Sequence, residues 1–74
     1  MFTLPEESWL CSRSLAESAP TRHTGVQVAG INRGGRRILN PSGDERFVAR
    51  DDVLLLGTPD QIKAFKAWAG ESAG

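Results

Sequence analysis

Most of the residues that announce chemistry are scarce in this chain. It holds one cysteine, Cys11, one histidine, His23, one methionine and no tyrosine. A single cysteine excludes an internal disulfide and fits a reducing, cytoplasmic setting. A lone histidine with no cysteine or histidine partner at ligand spacing offers no metal site, and no cofactor is expected. An excess of one charge is missing as well. Nine Lys+Arg balance nine Asp+Glu, which argues against a nucleic-acid partner, because such domains are clearly basic. The longest apolar run is Val53-Leu54-Leu55-Leu56, far too short to cross a bilayer, so no direct membrane insertion is expected. Met1 to Glu7 lacks the basic start and long apolar stretch of a signal peptide. The phosphate-loop, dinucleotide and nucleophile-elbow patterns are all absent. No acid–base or nucleophile constellation stands out, so the chain is not expected to be an enzyme, and a small hydrolase or transferase is the weakest reading.

The residues present suit a small soluble fold. The 74 residues make one domain at most, spanning 1–74 with a core over about residues 6–70. A chain of this size buries only about 60% of its unfolded surface, so its core is thin and self-association is a common remedy. The hydrophobic share of 39% and charged share of 24% belong to globular domains rather than disordered ones.

Read in order, residues 2–10 suggest a short, irregular edge strand broken by Pro5. Ser14-Leu15-Ala16-Glu17 is a capping box that opens a helix of about two turns, weakened by Pro20. Gly25 releases the chain into Val26–Arg33, where alternation puts Val26 and Val28 on one face and Ala29 and Ile31 on the other. Gly34-Gly35 supplies the positive φ of a two-residue hairpin turn, and Arg36–Asn40 returns antiparallel. Arg33 then faces Arg36, Ile31 faces Ile38 and Ala29 faces Asn40, all six on one side of the sheet. Pro41 to Asp44 is a turn-rich corner, Arg46-Phe47-Val48 a brief strand and Arg50-Asp51-Asp52 a turn. Val53–Leu56 shows no alternation and reads as a central strand buried on both faces. Thr58-Pro59-Asp60-Gln61 opens the last helix with an N-cap, a proline at the first position, a favourable acid and a closed box. Ile62, Phe65 and Ala69 form its inward stripe, Trp68 flanks it, and Gly70 stops it before a frayed tail at 71–74. The fold class is α+β: a mostly antiparallel, hairpin-containing sheet packed with two helices.

The ordered set from Gly25-Val26-Gln27-Val28-Ala29-Gly30-Ile31-Asn32-Arg33-Gly34-Gly35 through Ile38-Leu39-Asn40-Pro41 to Asp52-Val53-Leu54-Leu55-Leu56-Gly57-Thr58 resembles the TrkA-C family. That family is the C-terminal lobe of the regulator-of-potassium-conductance (RCK) module. Ser12 to Glu17 looks like its first helix, and the likeness covers about residues 6–68. Asn40-Pro41 and the Gly-Thr-Pro-Asp-Gln-Ile ending look most like copies in Kef-type monovalent cation:proton antiporters. Two departures stand out. Asp51 occupies a place where the family usually has Gly, and Cys11-Ser12 replaces its usual neighbourhood. The resemblance implies a regulatory lobe that forms a homodimer on the cytoplasmic side of a membrane cation transporter, antiporter or channel and passes ligand occupancy to the gate. Because the phosphate-loop and dinucleotide patterns are absent, the nucleotide-binding Rossmann lobe of such a module is not expected in this chain.

The hairpin carries one candidate site. Arg33 opposite Arg36 is repulsive unless something relieves it. A small anionic ligand would do so, and in some family members a cyclic dinucleotide binds near the equivalent strands. Ile31 and Ile38 would supply an apolar platform and a self-complementary patch for a dimer, with Asn40 and Pro41 near that face. The candidate ligand-binding set is therefore Ile31, Arg33, Arg36, Ile38, Asn40 and Pro41. The other reading makes the arginines solvated tips, or partners of Asp44, Glu45, Asp51 or Asp52. Cys11 reads as an incidental or redox-sensitive thiol, and His23 as a surface residue. At the level of the whole chain, a ligand-sensing domain stands against a purely structural dimerisation module with no small-molecule ligand.

Overall fold

A computed structural model describes residues 2–70. The predicted tail at 71–74 lies outside the described residues. Seven elements succeed one another: β1 (Phe2–Thr3), α1 (Leu15–Ser18), α2 (Pro20–Thr24), β2 (Gln27–Arg33), β3 (Arg36–Leu39), β4 (Asp52–Leu56) and α3 (Pro59–Gly70). The four strands form one antiparallel sheet in the order β1-β4-β2-β3, in keeping with the expected α+β class.

The local signals behave as their chemistry demands. Ser14 Oγ accepts from the Glu17 N–H at 3.1 Å, and Glu17 Oε1 accepts from the Ser14 N–H at 2.9 Å. Thr58 and Gln61 close a second box at 3.2 and 2.9 Å. Gly34 and Gly35 carry φ of 57° and 82° at the hairpin tip, and Ile31 pairs with Ile38 and Arg33 with Arg36. The Asn40 N–H donates to the Ala29 carbonyl at 3.0 Å.

Several expectations need correction. The edge strand shrinks to two residues, and the loop after it sends Leu4 and Leu10 into the core. Pro20 does more than weaken the first helix. Ala19 turns left-handed (φ 50°), and Pro20 starts a second helix at its first position, where a missing N–H costs nothing. Residues 46–48 form no strand; Arg46 and Phe47 make isolated bridges to Ser14 and Cys11. In the next turn Arg50 is left-handed (φ 68°) and Asp51 is buried.

Two corrections matter for the site. A bulge between Val28 and Gly30 inserts one residue into β2, and an inserted residue reverses the alternation beyond it. Val26, Val28 and Ile31 consequently all pack with the core. β4 is central but covered on one face only: Val53 is fully buried, whereas Leu54 and Leu56 are 40% and 56% exposed. The core lies between the inner sheet face and α3, where Ile31 and Val53 meet Phe65 and Ala69 along with Leu4, Leu10 and Phe47. The predicted stripe of α3 holds. Trp68 flanks it, stacked on His23 and edge-on to Trp9, whose Nε1–H donates to the Trp68 carbonyl at 2.8 Å.

Candidate ligand site

The six residues of the sequence-derived set do not form one surface. Ile31 is 1% exposed and Ile38 packs against the same core, so neither offers a free apolar platform or dimer patch. The reason is parity: after the bulge, the Ile31–Arg33 side of the hairpin is the inner side. Arg33 is held from within the molecule. Its Nε and Nη2 donate to the two carboxylate oxygens of Asp51 at 2.8 and 2.9 Å, Nη1 to Glu45 Oε2 at 3.3 Å, and Nη2 to the Arg46 carbonyl at 2.9 Å. The Val48 N–H adds a further bond to Asp51 at 2.8 Å. Asp51 is 1% exposed, and burying a carboxylate is costly unless its oxygens are paired in this way. These bonds raise the pKa of Arg33 above its ordinary value, the hydrogen bonds from Asp51 counting most. The repulsion expected between Arg33 and Arg36 is thus relieved by Asp51 and Glu45, two of the partners foreseen. Arg36 stays exposed at the hairpin tip.

Asn40 and Pro41 go elsewhere. They line an open groove of about 870 Å³ where the start of β2 and the ends of β3 and β4 meet α1 and α2. Asn40 sits at φ 48°, a left-handed conformation that asparagine tolerates. Val28, Ala29, Leu15 and Leu56 give the groove apolar walls, and Gln27, Thr21 and Arg22 supply polar groups. Arg22 is its one ionisable residue among the described residues. Among those residues no carboxylate, histidine or cysteine lines the groove to act as acid, base or thiolate. Gly43 shapes its rim: a Cβ there would stand 3.1 Å from the Cβ of Ala16.

Sequence reasoning found the corner of this groove but missed its helical wall. Arg22 carried no local signal, because its role comes from α2 folding back beside β2. Gly43 was the nearest thing to a clue, since a glycine in a corner often marks a close backbone approach.

Cys11 is partly buried and its Sγ lies 3.6 Å from the carbonyls of Pro5 and Glu6. Burial first, and then the charge of Asp51, push its thiol pKa up.

The fold matches known structures closely. The RCK_C domain dimer of S. agalactiae BusR in complex with c-di-AMP superposes with a TM-score of 0.86 at 21% identity, covering 90% of this chain and 83% of that one. S. agalactiae BusR in complex with its busAB-promoter DNA gives the same score and identity, but this chain spans only 33% of it. At that identity the likeness establishes the fold. The sequence itself goes further: residues 1–70 match the profile of the TrkA-C domain, and the chain belongs to the TrkA-C domain family.

Proposed function

We propose that this chain is a cytoplasmic ligand-sensing and dimerisation domain of a monovalent cation transport protein, and that it takes a small anionic ligand such as a cyclic dinucleotide. The observation that carries the reading is the groove. It joins apolar walls that suit a base to a single cation, Arg22, with no acid to repel a phosphate among the described residues. Pockets of this kind, mostly apolar with a few convergent polar groups, are the usual form of a small-molecule site. The c-di-AMP complex of BusR supports the choice of ligand class.

The domain would act by population shift. A ligand that prefers one dimer geometry moves the parent protein toward it, and one with equal affinity for both geometries moves nothing. On this reading the domain acts by binding rather than by catalysis. The balanced charge supports no nucleic-acid contact by this domain. Among the described residues no helix is long and apolar enough to cross a membrane, so transport itself would belong to the rest of the parent, whether antiporter, channel or uptake system. The Gly57-Thr58-Pro59-Asp60-Gln61-Ile62 run favours the antiporter.

Thermal unfolding against cyclic di-AMP, cyclic di-GMP, ATP and AMP tests this. A true ligand at 100 times its dissociation constant adds about 2.7 kcal/mol, a shift of roughly 10–20 °C in a domain this small. Arg22→Ala should lose most of that shift while melting at the wild-type temperature without ligand. A dimer with no shift from any nucleotide would establish the second reading, a scaffold without ligand, which the exposed leucines of β3 and β4 favour.

A further inference from the structure

The helical wall of the groove is built as a segment with a bend at each end. The five residues of α2 stand between two left-handed residues: Ala19, at φ 50° and ψ 59°, precedes the helix, and Gly25, at φ 84°, ends it. Glycine takes that conformation freely, but alanine does so at a steric cost. Four non-glycine residues are left-handed among those described, and two of them, Ala19 and Asn40, line this one groove, the first from its helical wall and the second from its sheet wall. Backbone strain of this kind gathers at clamps and switch regions.

The other side of α2 rests on α3 by packing alone. Pro20, Thr21 and Arg22 line the groove. The next residue, His23, stacks on Trp68 of α3, with ring centroids 5.5 Å apart and planes 25° from parallel. At the end of α2, Gln61 of α3 lies so close to Gly25 that a Cβ there would stand 2.6 Å from its Nε2. Among the described residues no hydrogen bond or ion pair joins α2 to α3. The hydroxyls of Thr24 and Thr21 serve α2 and the turn after it, donating to the Pro20 and Val26 carbonyls at 2.7 Å each. Trp68 itself is braced from behind, edge-on to Trp9 and tilted against Phe65 of the core. The stack therefore joins a segment with a bend at each end to a ring that the core supports.

We infer that α2 is a hinged wall of the groove, pivoting at Ala19 and Gly25 and latched by the stack of His23 on Trp68, so that its release opens the groove without unfolding the sheet. Hinges are a few residues at the ends of elements that absorb a change in φ and ψ, and Ala19 and Gly25 hold those places. Arg22 rides on the same segment, so closure brings the one cation of the groove onto whatever is bound. The inference rests on the ligand reading of the groove only for what the opening admits.

Amide hydrogen exchange of the full chain, followed by NMR, tests the hinge without any ligand. The Arg22 N–H donates to the Ala19 carbonyl at 3.1 Å, and the Gly25 N–H to the Thr21 carbonyl at 2.8 Å. Both should exchange through local opening of α2. His23→Ala removes the latch and should speed both by about threefold to tenfold, the range that loss of an aromatic pair implies. The Ser18 N–H, bonded to the Ser14 carbonyl in α1, and the amides of β4 should keep their wild-type rates. His23→Phe restores a stacked ring and should bring both rates back to within about twofold of wild type. Rates that ignore His23→Ala overturn the inference. So does an equal acceleration of α1, α2 and β4, which would make the opening global. In the wild-type chain, saturating cyclic di-AMP should slow the same two amides. A nucleotide that raises the melting temperature yet leaves them unchanged overturns the hinged wall and spares the ligand reading. No response of any kind to nucleotide, with the His23 variants behaving as stated, sinks the ligand reading and supports the hinge.

Discussion

At the residue scale, Arg33 and Asp51 dominate. The Arg33 guanidinium fork and the Val48 N–H satisfy both buried carboxylate oxygens of Asp51. Removing one partner of a buried pair strands the other, at a cost of about 3–5 kcal/mol. Small domains have only about 5–15 kcal/mol in total. Arg33→Ala should therefore lower the urea midpoint severely, and Arg33→Lys should recover only part of the loss, because a point charge does not reproduce the bidentate geometry. The exposed Arg46–Glu17 pair, at 3.2 Å, is the contrast: it is screened by solvent and its loss should hardly register. The raised pKa of Cys11 has its own consequence. The thiolate is the reactive form, and burial together with Asp51 disfavours it. Cys11 should react with Ellman's reagent more slowly than free cysteine at pH 8, and a rate above that of free cysteine would contradict the assignment.

At the element scale, the two capping boxes show what is readable from a chain alone. Both depend on residues three apart, and both form as the spacing says. Thr58→Ala should cost about 1 kcal/mol by leaving an N–H of the first turn of α3 without its acceptor. Glu17 adds a pH dependence. The hydrogen bond from the Ser14 backbone, and then the charges of Arg46 and Arg13, lower its pKa. A carboxylate with a depressed folded pKa stabilises the fold above the ordinary glutamate range, and that contribution fades as the pH falls through its own lowered value. Glu17→Gln should flatten the acid side of the stability profile and leave the neutral side with the same slope. The hairpin was legible for the same reason as the caps, since its Gly-Gly turn is local. The features that escaped were tertiary. A single inserted residue at Ala29 has no composition cue, yet it reverses which side of β2 meets the core and so displaces the site from the Ile31–Ile38 face. The run Val53–Leu56 lacks alternation not because helices cover both faces but because its second face is apolar and open. The split at Ala19 depends on a left-handed alanine that no propensity favours. The candidate site was legible only at Asn40 and Pro41, because its other wall is contributed by helices more than ten residues away in sequence.

At the scale of the whole molecule, the groove borders the exposed leucines of β3 and β4. Leu56 lines the groove and stands two residues from Leu54 on the same side of β4; Asn40, also in the groove, directly succeeds Leu39. A ligand seated there touches the elements that would carry the dimer contacts, so occupancy and association should be coupled. Coupling between two equilibria is reciprocal: if the ligand tightens the dimer by some factor, dimerisation must tighten the ligand by the same factor. Typical couplings are about 5- to 150-fold. The dimer dissociation constant should therefore fall by at least about fivefold when cyclic dinucleotide saturates the groove. Titrations well below and well above the dimer dissociation constant should return ligand affinities that differ by that same ratio. Arg22→Ala should abolish the effect of ligand on association while leaving the ligand-free dimer intact. A ratio of one would separate the two sites.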